Sequence, residues 1–163
     1  MARLVLADAS PLIVLSRVGG LDWLPAFFGT VTLPEEVRQE VLDCGAWPGQ
    51  ASLRAALDSG WLLISARHYE TPLLPDLDEG EAACIRAAVN HPEPGLILMD
   101  ERPGRAIARE FGIQVAGTAA LIGMARQRGL IPSARAIFEE LLQSDFRISA
   151  DVIRAVLERV GET

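Results

Sequence analysis

A chain of 163 residues, 50% of them hydrophobic, has room for one ordinary domain with a sizeable core, which argues against disorder and against an eight-fold barrel of roughly 250 residues. No apolar run approaches the roughly 20 residues that span a bilayer, and the opening Met1-Ala2-Arg3-Leu4-Val5-Leu6-Ala7-Asp8 meets an acid too early for a secretory signal, so a cytoplasmic protein is expected. The net charge of −7 is the wrong sign for a broad basic nucleic-acid surface, and all 15 basic residues are arginine, which excludes a P-loop and Schiff-base chemistry, both of which need lysine.

Short apolar runs alternate with helical patterns, the mark of βαβ units and a parallel sheet. Arg3–Asp8 reads as a buried strand, followed by a helix with Ser10 as N-cap, Pro11 in its first turn and Gly19-Gly20 at its end. A short helix covers about 21–28, Thr30–Leu33 is a brief strand, and a helix runs from Pro34 to Asp43, stopping near Gly45. A helix over about 50–59 leads into the strand Trp61–Ser65, and a proline-containing loop reaches Leu77. Asp78 then caps a helix to about Asn90, His91–Pro94 is a turn, and Gly95–Asp100 is a second fully apolar strand. Helix Arg102–Phe111, strand Ile113–Val115 and helix Thr118–Arg128 follow, and Pro132 and Ser149 open two final helices. The expectation is one α/β domain over 1–163, with about five short parallel strands in its core over about 1–130, helices on both faces, and two extra helices over about 131–163.

Leu4-Val5-Leu6-Ala7-Asp8 and Leu96-Ile97-Leu98-Met99-Asp100 are both apolar strands that end in aspartate. In open parallel sheets, ligands bind beyond the carboxyl ends of the strands, so neighbouring strands would aim both carboxylates into one crevice. The plainer alternative is that each aspartate caps the helix that follows it. Glu81 fits a capping box begun by Asp78, but it also shares the helix face of Cys84, Ile85 and Ala88, where a carboxylate is costly unless paired or metal-bound. In the preceding helical segment Val37, Val41 and Cys44 mark the buried stripe. At about 100° per residue, Glu40 lies about 65° from its centre and Glu36 about 105°. Glu40 is therefore the candidate at the core's rim, and Glu36 the more solvated. An exposed helical glutamate is the default for either.

Four carboxylates in one crevice repel, and oxygen-only ligands select hard ions, so magnesium or manganese is expected. Such a site suits in-line attack of water on a phosphodiester, and the cation would supply positive charge that the surface lacks. Arg102, Arg105 and Arg109 form one helical stripe just beyond Asp100, placed either to contact phosphate or to pair in solvent with Glu101 or Glu110. Ser10 and Thr118, each just past a strand end, are helix caps or supports for a metal-bound water. Cys44 and Cys84 sit among apolar neighbours and read as buried, inert thiols, and His68 and His91 as loop histidines.

The stretches Asp8-Ala9-Ser10-Pro11-Leu12-Ile13, Leu33-Pro34 through Glu40-Val41, Asp78-Glu79-Gly80-Glu81-Ala82, Leu98-Met99-Asp100-Glu101-Arg102 and Gly117-Thr118 span nearly the whole chain in order. Together they resemble the PIN-domain nucleases, many of them toxins of toxin–antitoxin pairs. More narrowly, they resemble a prokaryotic subgroup catalogued as a domain of unknown function with predicted nucleic-acid binding. The resemblance implies a three-layer α/β/α fold and magnesium- or manganese-dependent cleavage of single-stranded RNA. It puts Asp8 and Asp100 as direct metal ligands, with Glu40 and Glu81 completing the shell or positioning water. It also implies an antitoxin partner, and homodimerisation through apolar helices is in keeping with such families. Glu81 departs from the family pattern, which usually has aspartate there. The competing expectations are a PIN-like module that binds nucleic acid or metal without cutting, a phosphatase on a similar sheet, and a structural partner. A phosphatase is disfavoured by the missing lysine and by Ser10 standing two residues after Asp8.

Overall fold

Leu4-Val5-Leu6-Ala7 and Gly95-Leu96-Ile97-Leu98 offer no polar face to water, so both sides of these strands must be covered. The computed structural model, which describes residues 3–93 and 95–162, meets that demand with a parallel sheet flanked by helices. The elements in chain order are β1 (Leu4–Ala7), α1 (Ala9–Arg17), α2 (Trp23–Phe28), β2 (Val31–Pro34), α3 (Glu35–Leu42), α4 (Gln50–Asp58) and β3 (Leu62–Ser65). There follow α5 (Glu79–Val89), β4 (Gly95–Leu98), α6 (Arg102–Glu110), β5 (Gln114–Ala116), α7 (Thr118–Gln127), α8 (Ala134–Leu142) and α9 (Ala150–Arg159).

The strand order is β3-β2-β1-β4-β5 and every pairing is parallel. The chain first builds outward from β1 through β2 to β3, then returns to the other side of β1 for β4 and β5. The order therefore reverses between β1 and β4, the place where α/β sheets open a crevice beyond their strand ends. The register Leu4↔Gly95 through Ala7↔Leu98 sets the carboxyl ends of these two central strands side by side, and the Asp8 amide donates to the Leu98 carbonyl at 3.0 Å. β1 ends one residue before Asp8 and β4 two residues before Asp100, so both aspartates stand in the turns that follow.

Several boundaries differ from expectation for local reasons. Helix α1 begins at Ala9 with Asp8, not Ser10, in the N-cap position. Helix α3 ends at Leu42, so Cys44 falls on the turn beyond it and is exposed, whereas Cys84 on α5 is fully buried. Helix α8 starts at Ala134 rather than at Pro132, because the Ser133 hydroxyl accepts the Ala136 amide at 3.1 Å. Ser149 does cap α9, accepting the Val152 amide at 3.1 Å. The turn expected over His91–Pro94 includes Pro94, which lies outside the described residues.

The last two helices share the main buried cluster through Phe138, Leu141, Val156 and Leu157. Helix α9 lies so close to α7 that a Cβ on Gly123 would meet Val156 Cγ1 at 3.0 Å. Glu162 fastens the end of the chain to α8: it accepts the Ala134 amide at 2.7 Å and the Ser133 hydroxyl at 2.9 Å, and pairs with Arg126 of α7 at 3.3 Å.

Burial separates the sheet's centre from its edge. Ile97 in β4 is 0% exposed and Leu63 in edge strand β3 is 44% exposed. Ile97→Ala is expected to lower unfolding stability by about 3 kcal/mol, and Leu63→Ala by less than about 1 kcal/mol, as read from urea denaturation.

Candidate active site

The turn after β1 brings Asp8 down between α1 and α5. The residue is buried and makes no side-chain cap bond to its helix, and its Oδ1 has no hydrogen-bond partner among the described residues. Capping therefore does not account for this carboxylate. Burial is the main cause that raises its pKa to about 7. The Ala9 amide pulls it down, and the charges of Asp78, Glu40 and Glu101 push it up further.

Glu81 enters the same space from α5. Its amide donates to the Asp78 carboxylate at 2.8 Å, so Asp78 is the N-cap and Glu81 stands in the first turn. The side chain does not turn outward to close a capping box. It is buried on the face of Cys84 and Ile85, and its Oε2 also lacks a partner. Burial is the main cause that raises its pKa, and the neighbouring carboxylates of Asp78, Asp8 and Glu101 act in the same direction. Two adjacent carboxyls held above the usual carboxylate range are a mark of functional sites.

Asp100 is placed differently. It caps neither α6, where Glu101 is the N-cap, nor open solvent. One of its oxygens accepts the Thr118 amide at 2.7 Å, the other the Thr118 hydroxyl at 2.7 Å and the Ser10 hydroxyl at 3.4 Å. Thr118 is fully buried at the start of α7, where amides and helix dipole both favour an anion. Ser10 thus ties α1 to Asp100 and is not a cap. The Arg105 guanidinium lies alongside and donates to the Met99 carbonyl at 3.1 Å.

Glu40 and Glu36 exchange their expected places. Glu40 is exposed, its pKa raised by partial burial and by Asp78, while the Glu36 side chain is only 18% exposed. The cause is tertiary: His68, from the loop after β3, contacts Glu36 with Nδ1 3.0 Å from Oε2 and covers it. Arg102 and Arg109 are exposed, Arg105 half-buried, and none of the three forms an ion pair with Glu101 or Glu110 among the described residues.

Three features escape a reading of periodicity. Asp78 and Glu101 act on the buried acids by charge, which only the folded chain reveals. Gly104 of α6 faces Glu81, and a Cβ there would stand 2.5 Å from both Glu81 Oε2 and the buried Met99 Sδ. Gly117 likewise admits Asp100, since a Cβ there would lie 3.0 Å from Asp100 Oδ1 and 2.6 Å from Arg105 Nη1. The glycines let backbone approach the carboxylates.

Asp8 feels the charge of Glu40, and Glu81 that of Asp8, near the sheet's reversal point. Among the described residues, however, no three His, Cys, Asp or Glu side chains form a group arranged to hold one ion. What fits a hard divalent cation is the donor set itself: oxygen throughout, with two buried carboxylate atoms, Asp8 Oδ1 and Glu81 Oε2, lacking any partner. No helix among the described residues is long and apolar enough to cross a membrane.

A family model described as a PIN domain matches residues 4–162. The chain belongs to the PIN-domain family. PIN domains form a nuclease superfamily whose members typically use divalent metals, and the parallel α/β/α sheet of this PIN domain agrees with that membership. No curated protein and no solved structure matches the chain significantly.

Two outcomes follow from the burial of Asp8 and Glu81. Because the folded-state pKa of Asp8 is near 7 against an ordinary 3.8, the folded chain keeps a proton that the unfolded chain releases. Stability in EDTA should therefore fall as pH rises through that window. The urea midpoint should be lower at about pH 8 than at about pH 5.5, and Asp8→Asn should flatten the difference. Gly104→Ala should displace the Glu81 carboxylate, costing metal affinity about tenfold or more by calorimetry while the protein remains folded by circular dichroism.

Proposed function

We infer that this PIN domain is a magnesium- or manganese-dependent endoribonuclease that cuts single-stranded RNA by activating water. The observation that carries the reading is the pair of buried, partnerless carboxylate oxygens on Asp8 and Glu81 at the sheet's reversal point. Carboxylates so desolvated are unfavourable on their own and are offset by a bound cation. Asp8 and Glu81 would hold it, with Asp100 and the more exposed Glu40 completing the oxygen set. Bound there, the ion would acidify water, screen the phosphate and stabilise the leaving oxygen.

The rest of the chemistry falls to the chain's own groups. Thr118 and Ser10 fix the Asp100 carboxylate by three hydrogen bonds, so it keeps its orientation as charge develops nearby. Arg105 is anchored through Nη1 to the Met99 carbonyl, and its guanidinium sets one positive group beside Asp100 where a phosphate oxygen would lie. Arg102, exposed one turn earlier on α6, can reach the neighbouring phosphate. Residues 1–163 would act as one unit, with α8 and α9 joined to the core through Phe138 and Val156. Family membership favours a toxin of a type II toxin–antitoxin pair, acting in the cytoplasm with a protein antitoxin as partner.

A second reading is a PIN-like module that binds nucleic acid and metal but cuts weakly or not at all. The lack of a ready three-ligand group among the described residues, and the net charge of −7, favour it.

Labelled single-stranded RNA incubated with metal-stripped protein should stay intact and be cleaved once manganese is added. Asp8→Asn should abolish that cleavage, and Thr118→Val should slow it about 10- to 100-fold. Manganese binding without cleavage of RNA would establish the binding module instead.

A further inference from the structure

Ser10 and Asp100 line a cleft of about 910 Å³ whose other walls are α6 on one side and the Asp145–Ser149 loop and α9 on the other. Its walls carry five of the chain's 15 arginines, Arg102, Arg105 and Arg109 from α6, Arg147 from the loop and Arg159 from α9. The acids lining it are Asp100, held by Thr118, Glu101, and Asp145, which is paired with Arg17 at 2.7 Å. A chain with a net charge of −7 thus has a groove in which arginines outnumber acids, and that groove includes Asp100 of the candidate active site.

The groove is also amphipathic. Phe146 and Ile148 are half-buried and Val152 is 45% exposed along the wall that carries Arg147 and Arg159. Arginine forks matched to phosphate, set against an exposed apolar and aromatic surface, are what an unpaired nucleic-acid strand requires: charges along its backbone and a platform for its bases. An acidic peptide would use the arginines but not the continuity with Asp100. On α6, Arg102 and Arg109 are seven residues apart, about 10 Å along the helix, enough to contact more than one backbone phosphate.

We propose that this cleft is the track for the single-stranded substrate on one side of the scissile bond, and that the Asp145–Ser149 loop and α9 supply its outer wall through Arg147 and Arg159. The proposal rests on the nuclease reading for the position of the scissile bond. It also makes the C-terminal helix, outside the sheet and remote in sequence from every acid of the site, part of substrate binding. Arg147 and Arg159 are positioning residues and touch none of the four acids.

The test is made without metal, so that it does not depend on cleavage. Binding of a fluorescent single-stranded RNA in EDTA is measured by anisotropy across a salt series for the wild-type protein, Arg147→Ala/Arg159→Ala and Arg147→Lys/Arg159→Lys. The alanine pair should weaken binding about tenfold or more and reduce the slope of log affinity against log salt by about 1.4, with an unchanged melting temperature. The lysine pair should recover most of the binding. Equal affinity and slope for the wild type and the alanine pair would overturn the cleft while leaving the nuclease reading intact. A wild type that binds poly-glutamate peptide more tightly than RNA, with that binding lost in the alanine pair, would overturn it in favour of an acidic protein partner. Loss of RNA binding in the alanine pair, in a protein that nonetheless fails to cut RNA with manganese, would sustain the cleft and sink the hydrolysis.

Discussion

Burying one carboxylate beside another is unfavourable unless something positive replaces the water each has lost, and Asp8 and Glu81 are both buried with an oxygen that meets no donor. Much of the surrounding structure is arranged so that these two side chains can be there at all. The parallel pairing of β1 with β4 brings Asp8 to the sheet's reversal point, and the Asp78 cap turns α5 so that Glu81 faces inward. Gly104 lets α6 come close enough to bury the Glu81 carboxylate, where any side chain would collide with it. Without a cation, protons supply the compensation, which is why burial pushes the Asp8 carboxyl up to about 7.

Asp100 is held on a different principle, and the difference divides the labour within the site. Its oxygens are committed to Thr118 and Ser10, so its charge is already balanced by donors and by the start of α7. It is therefore a fixed acceptor, whereas Asp8 and Glu81 are open ones. On the proposed reading, the two unfilled carboxylate atoms would take up the ion and the rigid Asp100 would keep it in register with a substrate. Asp100 also lines the cleft that carries five arginines.

Much of this was legible in the sequence, and the reasons are particular. Two wholly apolar runs ending in aspartate read as central strands of a parallel sheet, so the pairing of β1 with β4 followed from connection rules. Glu81 was legible because a carboxylate in phase with Cys84 and Ile85 has to be buried if the helix is. Periodicity failed where a distant loop decides exposure. His68 covers Glu36 and leaves Glu40 open, which no helical wheel contains, and Cys44 left the buried stripe because α3 stops at Leu42. The same limit hid Arg147 and Arg159, which join the α6 arginines only through the docking of α9 on α7 at Gly123.

The account stands or falls on whether a cation takes the place of protons on Asp8 and Glu81. Calorimetric titration of the metal-free protein with manganese near neutral pH, repeated in two buffers of different ionisation enthalpy, measures both the binding and the protons released. The account predicts binding with net proton release, and a smaller release on a weaker binding curve for Asp8→Asn. Absence of binding, or binding with no proton released and no change on substituting Asp8, would contradict it.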